Sequence, residues 1–178
     1  MRADYLLQSQ LDLILAGMLP DNRLCLRVCL YTGLRIGDVL ELRADEVARQ
    51  FWITECKTGK RRRVGLTDEL VARLQRNARG SVWCFPSPRD AAKHRTRQAV
   101  WADCKRTARA LRIPVNAAPH SCRKVYAVYL MDRYKDIERV QRALNHDNPT
   151  VTMLYAMADV LAETVAARRV SLPRARRR

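Results

Sequence analysis

Apolar residues return every three or four positions over most of the chain, the interval that one face of a helix requires. Leu6, Leu7, Leu11, Ile14 and Leu15 form the first such run, and Gly17 with Pro20 ends it. Asp21 stands where a second helix needs a cap, and that helix carries Leu24, Val28 and Leu30 towards Thr32-Gly33. A short helix is predicted over 36–42. The pattern then changes. Residues 51–54 and 63–66 read as strands, and Lys57-Thr58-Gly59-Lys60 is the polar, glycine-containing turn of a β-hairpin between them. Thr67 caps a predicted helix to about residue 77.

Pro86-Ser87-Pro88 marks a loop, and a basic amphipathic helix follows over about 95–111. Val100, Trp101 and Ala108 are expected to face inward on it, with arginines and lysines outward. Pro114 and Pro119 bracket a further break. Helices are then predicted at 120–132, 136–144, 150–157 and 160–169. The fold class expected is α+β, mainly α, with one small antiparallel sheet. With no internal repeat and no long linker, 1–170 reads as one domain. The tail 171–178 is basic, expected to be disordered, and able to touch DNA.

Composition adds charge to this picture. Lys and Arg number 34 against 18 acidic residues, a net +16, and only six of the 34 are Lys. A folded domain so basic points to a polyanion, and guanidinium forks match phosphate geometry. A GC-rich genome that favours Arg codons is the competing explanation. No apolar stretch approaches the roughly 20 residues needed to span a bilayer, and no signal-peptide pattern opens the chain. The reading is therefore a cytoplasmic protein with no membrane partner. Cys25, Cys29, Cys56, Cys84, Cys104 and Cys122 form no CxxC pair and lie at no zinc-ligand spacing from the histidines. They are expected to be reduced and mostly buried, with neither metal nor cofactor.

Taken singly, no residue declares a chemistry. Arg35 reads equally as a surface arginine, Tyr155 as a helical core residue among Met153, Leu154 and Met157, and each histidine as structural. Arg123 and Lys57 read as solvated charges or simple phosphate contacts. Their joint order carries more. Residues Leu30-Tyr31-Thr32-Gly33-Leu34-Arg35-Ile36-Gly37-Asp38-Val39-Leu40-Glu41-Leu42 resemble the first arginine box of the tyrosine recombinases, or phage integrases. Lys57-Thr58-Gly59-Lys60 is similar to that family's β-turn lysine segment, and Pro119-His120-Ser121-Cys122-Arg123 to its HxxR box. Ala143-Leu144-Asn145-His146, with Thr152 and Tyr155, resembles the last box and its nucleophile, nine residues beyond His146. Asn145 replaces the usual Gly, and Asn tolerates positive φ better than most residues. Asp38 replaces the commoner Glu at equal charge.

The resemblance implies the catalytic-domain fold of DNA breaking-rejoining enzymes. It also implies a site made of Arg35, Lys57, His120, Arg123, His146 and Tyr155. Tyr155 would attack a DNA phosphodiester, forming a 3′-phosphotyrosyl link without metal or ATP. Arg35 and Arg123 would neutralise the non-bridging oxygens, as fixed cations can where no metal does so, and His146 would donate a further hydrogen bond to them. His120 would be general base or position it, and Lys57, on a flexible hairpin, general acid. Double-stranded DNA is the implied partner. Four protomers would meet on two synapsed duplexes, with accessory DNA-bending proteins as further partners and a monomer or weak oligomer when free. The helix at 160–169 would dock on a neighbour or pack on its own domain. The arginine box ends near residue 42, leaving no room before it for the N-terminal DNA clamp of most relatives. Either a catalytic-domain piece or a short promoter-inverting recombinase meets that description. The runner-up is a catalytically inactive regulator on the same fold; a type IB topoisomerase or telomere resolvase fits less well.

Overall fold

The structure is a computed structural model, and it describes residues 3–145. The helices predicted at 150–157 and 160–169, the tail, and His146, Thr152 and Tyr155 lie outside the described residues. Helix α1 (Gln8–Gly17) is followed by α2 (Pro20–Thr32), α3 (Ile36–Leu40), the hairpin β1 (Gln50–Thr54) and β2 (Arg61–Gly65), then α4 (Asp68–Ala78), α5 (Arg97–Ala110), α6 (Pro119–Tyr134) and α7 (Ile137–Leu144). The domain is mostly helical with a two-stranded antiparallel sheet, as expected. Among the described residues, no helix is long and apolar enough to cross a membrane.

Helix α2 is the central element, packed against α1, α3, α5 and α6. Its buried Leu24, Cys25, Leu26, Val28 and Cys29 meet Leu11 and Ile14 of α1, Val100 and Cys104 of α5, and Cys122 of α6 in one core. A second, smaller cluster joins Ala127 and Leu130 of α6 to Val140 and Leu144 of α7. Five of the six cysteines are buried, Cys56 is exposed, and all are free.

The cap predicted at Thr67 is present, and Asp136 caps α7. The Thr67 hydroxyl accepts from Leu70 N at 3.2 Å, and the Asp136 carboxylate from Glu138 N and Arg139 N at 2.9 and 3.1 Å. Asp21 does not cap α2. Pro20 takes the first helical position, where its missing N–H costs nothing, and the cap comes from 84 residues away. There the buried Asp103 of α5 accepts from Leu19 N and from the Asn22 amide, both at 2.9 Å. Asp21 instead pairs with Arg95 at 2.7 Å and Arg79 at 3.0 Å.

Trp101 departs from expectation too, being 47% exposed. The buried stripe of α5 runs Val100, Asp103, Cys104, Thr107, Ala108, and Trp101 lies one helical step, about 100°, off Val100. The hairpin register pairs Phe51 with Val64 and Ile53 with Arg62, so β2 begins two residues earlier than its apolar residues suggest. Phe51, Ile53, Arg62 and Val64 share the inner face, leaving Trp52 outside with Arg61 over its ring.

Candidate active site

Four separate stretches of chain converge on one cleft of about 510 Å³. Arg35, at the N-terminus of α3, lines it with Lys57 from the hairpin turn and His120 and Arg123 from the start of α6. Four of the six expected site residues therefore meet, although 88 residues separate the first from the last. The other two, His146 and Tyr155, lie outside the described residues. Arg97, the first residue of α5, also lines the cleft and was not singled out in the sequence. The local signal for it is Thr96, whose hydroxyl caps α5 by accepting from Ala99 N at 3.2 Å and so starts the helix at Arg97.

Arg123 is neither a solvated charge nor a simple surface contact. It is 1% exposed, and two of its N–H groups are committed to backbone carbonyls. One bond runs to Gly33 O at 2.6 Å and the other to Leu144 O. Gly33 stands two residues before Arg35, and Leu144 two residues before His146. A single guanidinium therefore ties the turn that presents Arg35 to the end of α7, where orphan carbonyls attract a cation. Asn145 closes α7 at φ 52°, the left-handed conformation that Asn was expected to tolerate there.

Arg35 is held from two sides. Asp38 reaches back to its backbone N–H at 3.3 Å, and the buried Glu55 accepts from its Nη1 at 2.6 Å. Asp38 also accepts from Cys56 N at 2.9 Å, and Glu55 from the Thr58 hydroxyl at 2.9 Å. The residues on both sides of Lys57 are thus tied to the α3 end of the cleft. The freedom expected of the hairpin is confined there to the exposed Lys57 side chain. Burial pushes the Glu55 carboxyl up. The bonds from Arg35 and Thr58 and the charges of Arg35 and Arg123 outweigh it and hold Glu55 below the usual range. Sequence reasoning missed Glu55, because nothing local marks a carboxylate that works through partners 20 and 3 residues away.

His120 sits in a field of cations. Desolvation of the ring by its surroundings, then Arg123, Lys124, Arg35 and Lys57, push its pKa down to about 4, although the residue as a whole is exposed. At neutral pH its ring is therefore uncharged and able to accept a proton. Following its ring protons by NMR in the DNA-free protein should give a midpoint near 4, with a rise when DNA phosphate enters the cleft. A midpoint at the ordinary 6.5 would refute this picture of the cleft's field. For stability the sign is that of a depressed histidine. The unfolded chain takes up a proton as pH falls through about 6.5 and the folded chain does not. His120 therefore withdraws stability between about pH 6.5 and 4.

The cleft opens into a groove of about 1000 Å³ that shares Ile36, Arg97, Pro119 and His120 and runs along α5 past Trp101, Lys105 and Arg109. Arg97, Lys105 and Arg109 set cations along a groove otherwise lined mainly by apolar residues, and with the cations of the cleft they suit an extended polyanion.

Comparison with known proteins places the fold and the lineage. The phage integrase family model matches residues 4–161. The integrase of Escherichia phage P2 is 29% identical over 153 residues, covering 85% of this chain and 42% of its own length. Tyrosine recombinase XerD of Pseudomonas putida is 30% identical over 146 residues, covering 75% and 48%. The chain thus spans less than half the length of these two relatives. A lambda integrase dimer bound to a COC' core site superposes with a TM-score of 0.72 at 18% identity, over 88% of this chain and 48% of that one. These matches show the fold and the lineage, and the chain belongs to the phage integrase, or tyrosine recombinase, family.

Proposed function

We propose that this chain carries the catalytic centre of a site-specific DNA recombinase. In this reading it cleaves and rejoins strands through a 3′-phosphotyrosyl link at Tyr155, with no metal or ATP. The observation that carries the reading is the cleft in which Arg35, Lys57, His120 and Arg123 converge. An in-line displacement at phosphorus builds negative charge on the non-bridging oxygens, and positioned cations stabilise it. Arg35 and Arg123 supply two guanidinium groups, with His146 as a further donor. His120, neutral at pH 7, takes the proton of the Tyr155 hydroxyl, whose unperturbed pKa is about 10. Lys57 protonates the departing 5′-oxygen. The phenoxide can itself be displaced by an incoming 5′-hydroxyl, so strand joining reverses strand cleavage and conserves the bond energy. Double-stranded DNA is the partner, four protomers act on two synapsed duplexes, and accessory DNA-bending proteins assist. The cations of α5, led by Arg97, contact the backbone or read a groove. Affinity then falls steeply as salt rises.

The experiment is covalent trapping on DNA flanking the protein's own gene, nicked so that cleavage releases a short strand and blocks religation. With no added metal, an adduct that survives denaturation is expected, its linkage mapping to Tyr155 by mass spectrometry. Salt-sensitive DNA binding without any adduct would instead favour an inactive regulator on the same fold.

A further inference from the structure

Glu55 is fully buried, carries a charge, and belongs to none of the family boxes. Burying a carboxylate is costly, and a buried ion pair is poor grounds for claiming stability. Its position suggests another use. One oxygen, Oε2, accepts from Arg35 Nη1 at 2.6 Å and from the Thr58 hydroxyl at 2.9 Å. The other, Oε1, faces Arg62 Nη1 at 3.8 Å. Arg62 itself is fixed by a bond from Nη2 to Thr32 O, in the last turn of α2 before Arg35.

We propose that Glu55 is a positioning residue, aiming Arg35 at the scissile phosphate and setting it against the turn that carries Lys57; this rests on the recombinase reading above. The geometry favours aiming over sequestration. Glu55 grips Arg35 through one N–H, which leaves four of the five guanidinium donors for phosphate oxygens. The grip fixes a side chain whose rotamer freedom would otherwise have to be lost in the transition state. The same oxygen fixes Thr58, next to Lys57, so the phosphate-binding cation and the turn bearing the proposed acid share one anchor. The negative charge also lets Arg35, Arg62 and Arg123 crowd together, which three cations alone would resist.

The test uses the whole chain, first without DNA. Rotation of the Arg35 guanidinium is followed by side-chain NMR of 15N-labelled protein. The wild-type chain should show hindered rotation with distinct Nη signals, and Glu55→Gln, which keeps the shape and removes the charge, should merge them. Free rotation in the wild type, or unchanged signals in E55Q, overturns the proposal whether or not the protein cleaves DNA. On the nicked substrate, E55Q should slow single-turnover cleavage roughly 10–100-fold, a loss of the size seen for weakened transition-state donors, with DNA affinity within about twofold of wild type. Adding E55Q to Arg35→Lys should cost little further, because both act through one group. Equal and additive losses, or a fall in affinity that accounts for the fall in rate, overturn it as well. If wild type forms no adduct, the recombinase reading fails, and the Arg35 signals still decide whether Glu55 holds that side chain.

Discussion

Replacing Arg123 with lysine is expected to slow DNA cleavage about 100–1000-fold, the penalty for losing one preorganised donor at a developing oxyanion, and to destabilise the protein at the same time. The two effects share a cause. Arg123 spends N–H groups on Gly33 O and Leu144 O while lining the cleft with the same guanidinium. A lysine ammonium is a point donor on a flexible stem and cannot span both carbonyls and a phosphate at once. At least one buried carbonyl is left without its partner, at about 1–3 kcal/mol. For a chain of this size, Tm should fall by roughly 2–4 °C for each kcal/mol. The displaced carbonyls lie two residues from Arg35 and from His146, so the damage reaches residues that the substitution does not touch. Single-turnover cleavage beside thermal melts checks both effects. If the lysine variant keeps its full melting temperature while losing cleavage, the two carbonyl bonds are not structural. If it keeps its cleavage rate, Arg123 has no part in the chemistry.

What could be read from the residues, and what could not, divides along sequence distance. The cap at Thr67 and the left-handed turn at Asn145 are decided by neighbours within three or four positions, and both are found as expected. The convergence of Arg35, Lys57, His120 and Arg123 was legible only through the family resemblance, because no spacing rule brings residues 35 and 123 together. Contacts that depend on distant partners were misread or missed. Asp21 looked like a cap, and the cap was Asp103. Trp101 looked like core, because a large aromatic on an amphipathic helix usually is. The stripe that the surrounding helices cover is set by Val100, Cys104 and Thr107, and it leaves the indole outside. Glu55 looked like one more charge before a turn. Only folding shows that its carboxylate is buried beneath two arginines. Arg123 carries the same lesson for energetics. In the sequence it is one Arg among many, and in the fold it is the link between two boxes.

Gly33→Ala should be the most damaging substitution of a residue outside the lining of the cleft. Gly33 ends α2 at φ 68°, a conformation that costs any other L-residue about 1–2 kcal/mol. An added Cβ would also lie 2.3 and 2.4 Å from Cδ1 and Cε1 of the half-buried Tyr126 ring, far inside contact distance. That ring packs against the cluster joining α6 to α7, so it cannot swing away without disturbing that junction. The alternative is that the end of α2 unwinds, which moves Gly33 O from Arg123 and the fully buried Leu34 from the core. Strain and clash together should cost about 3 kcal/mol or more, in the range reserved for overpacking at a special backbone position. The expected Tm loss is then at least about 6 °C, with cleavage impaired even where the variant remains folded. Tyr126→Ala in the same chain separates the two causes, since it removes the clash and leaves the φ penalty. Partial recovery of Tm in the double variant is the expected outcome. A Gly33→Ala protein that melts within a degree of wild type would mean that the α2 turn is not what holds Arg35 and Arg123 in register.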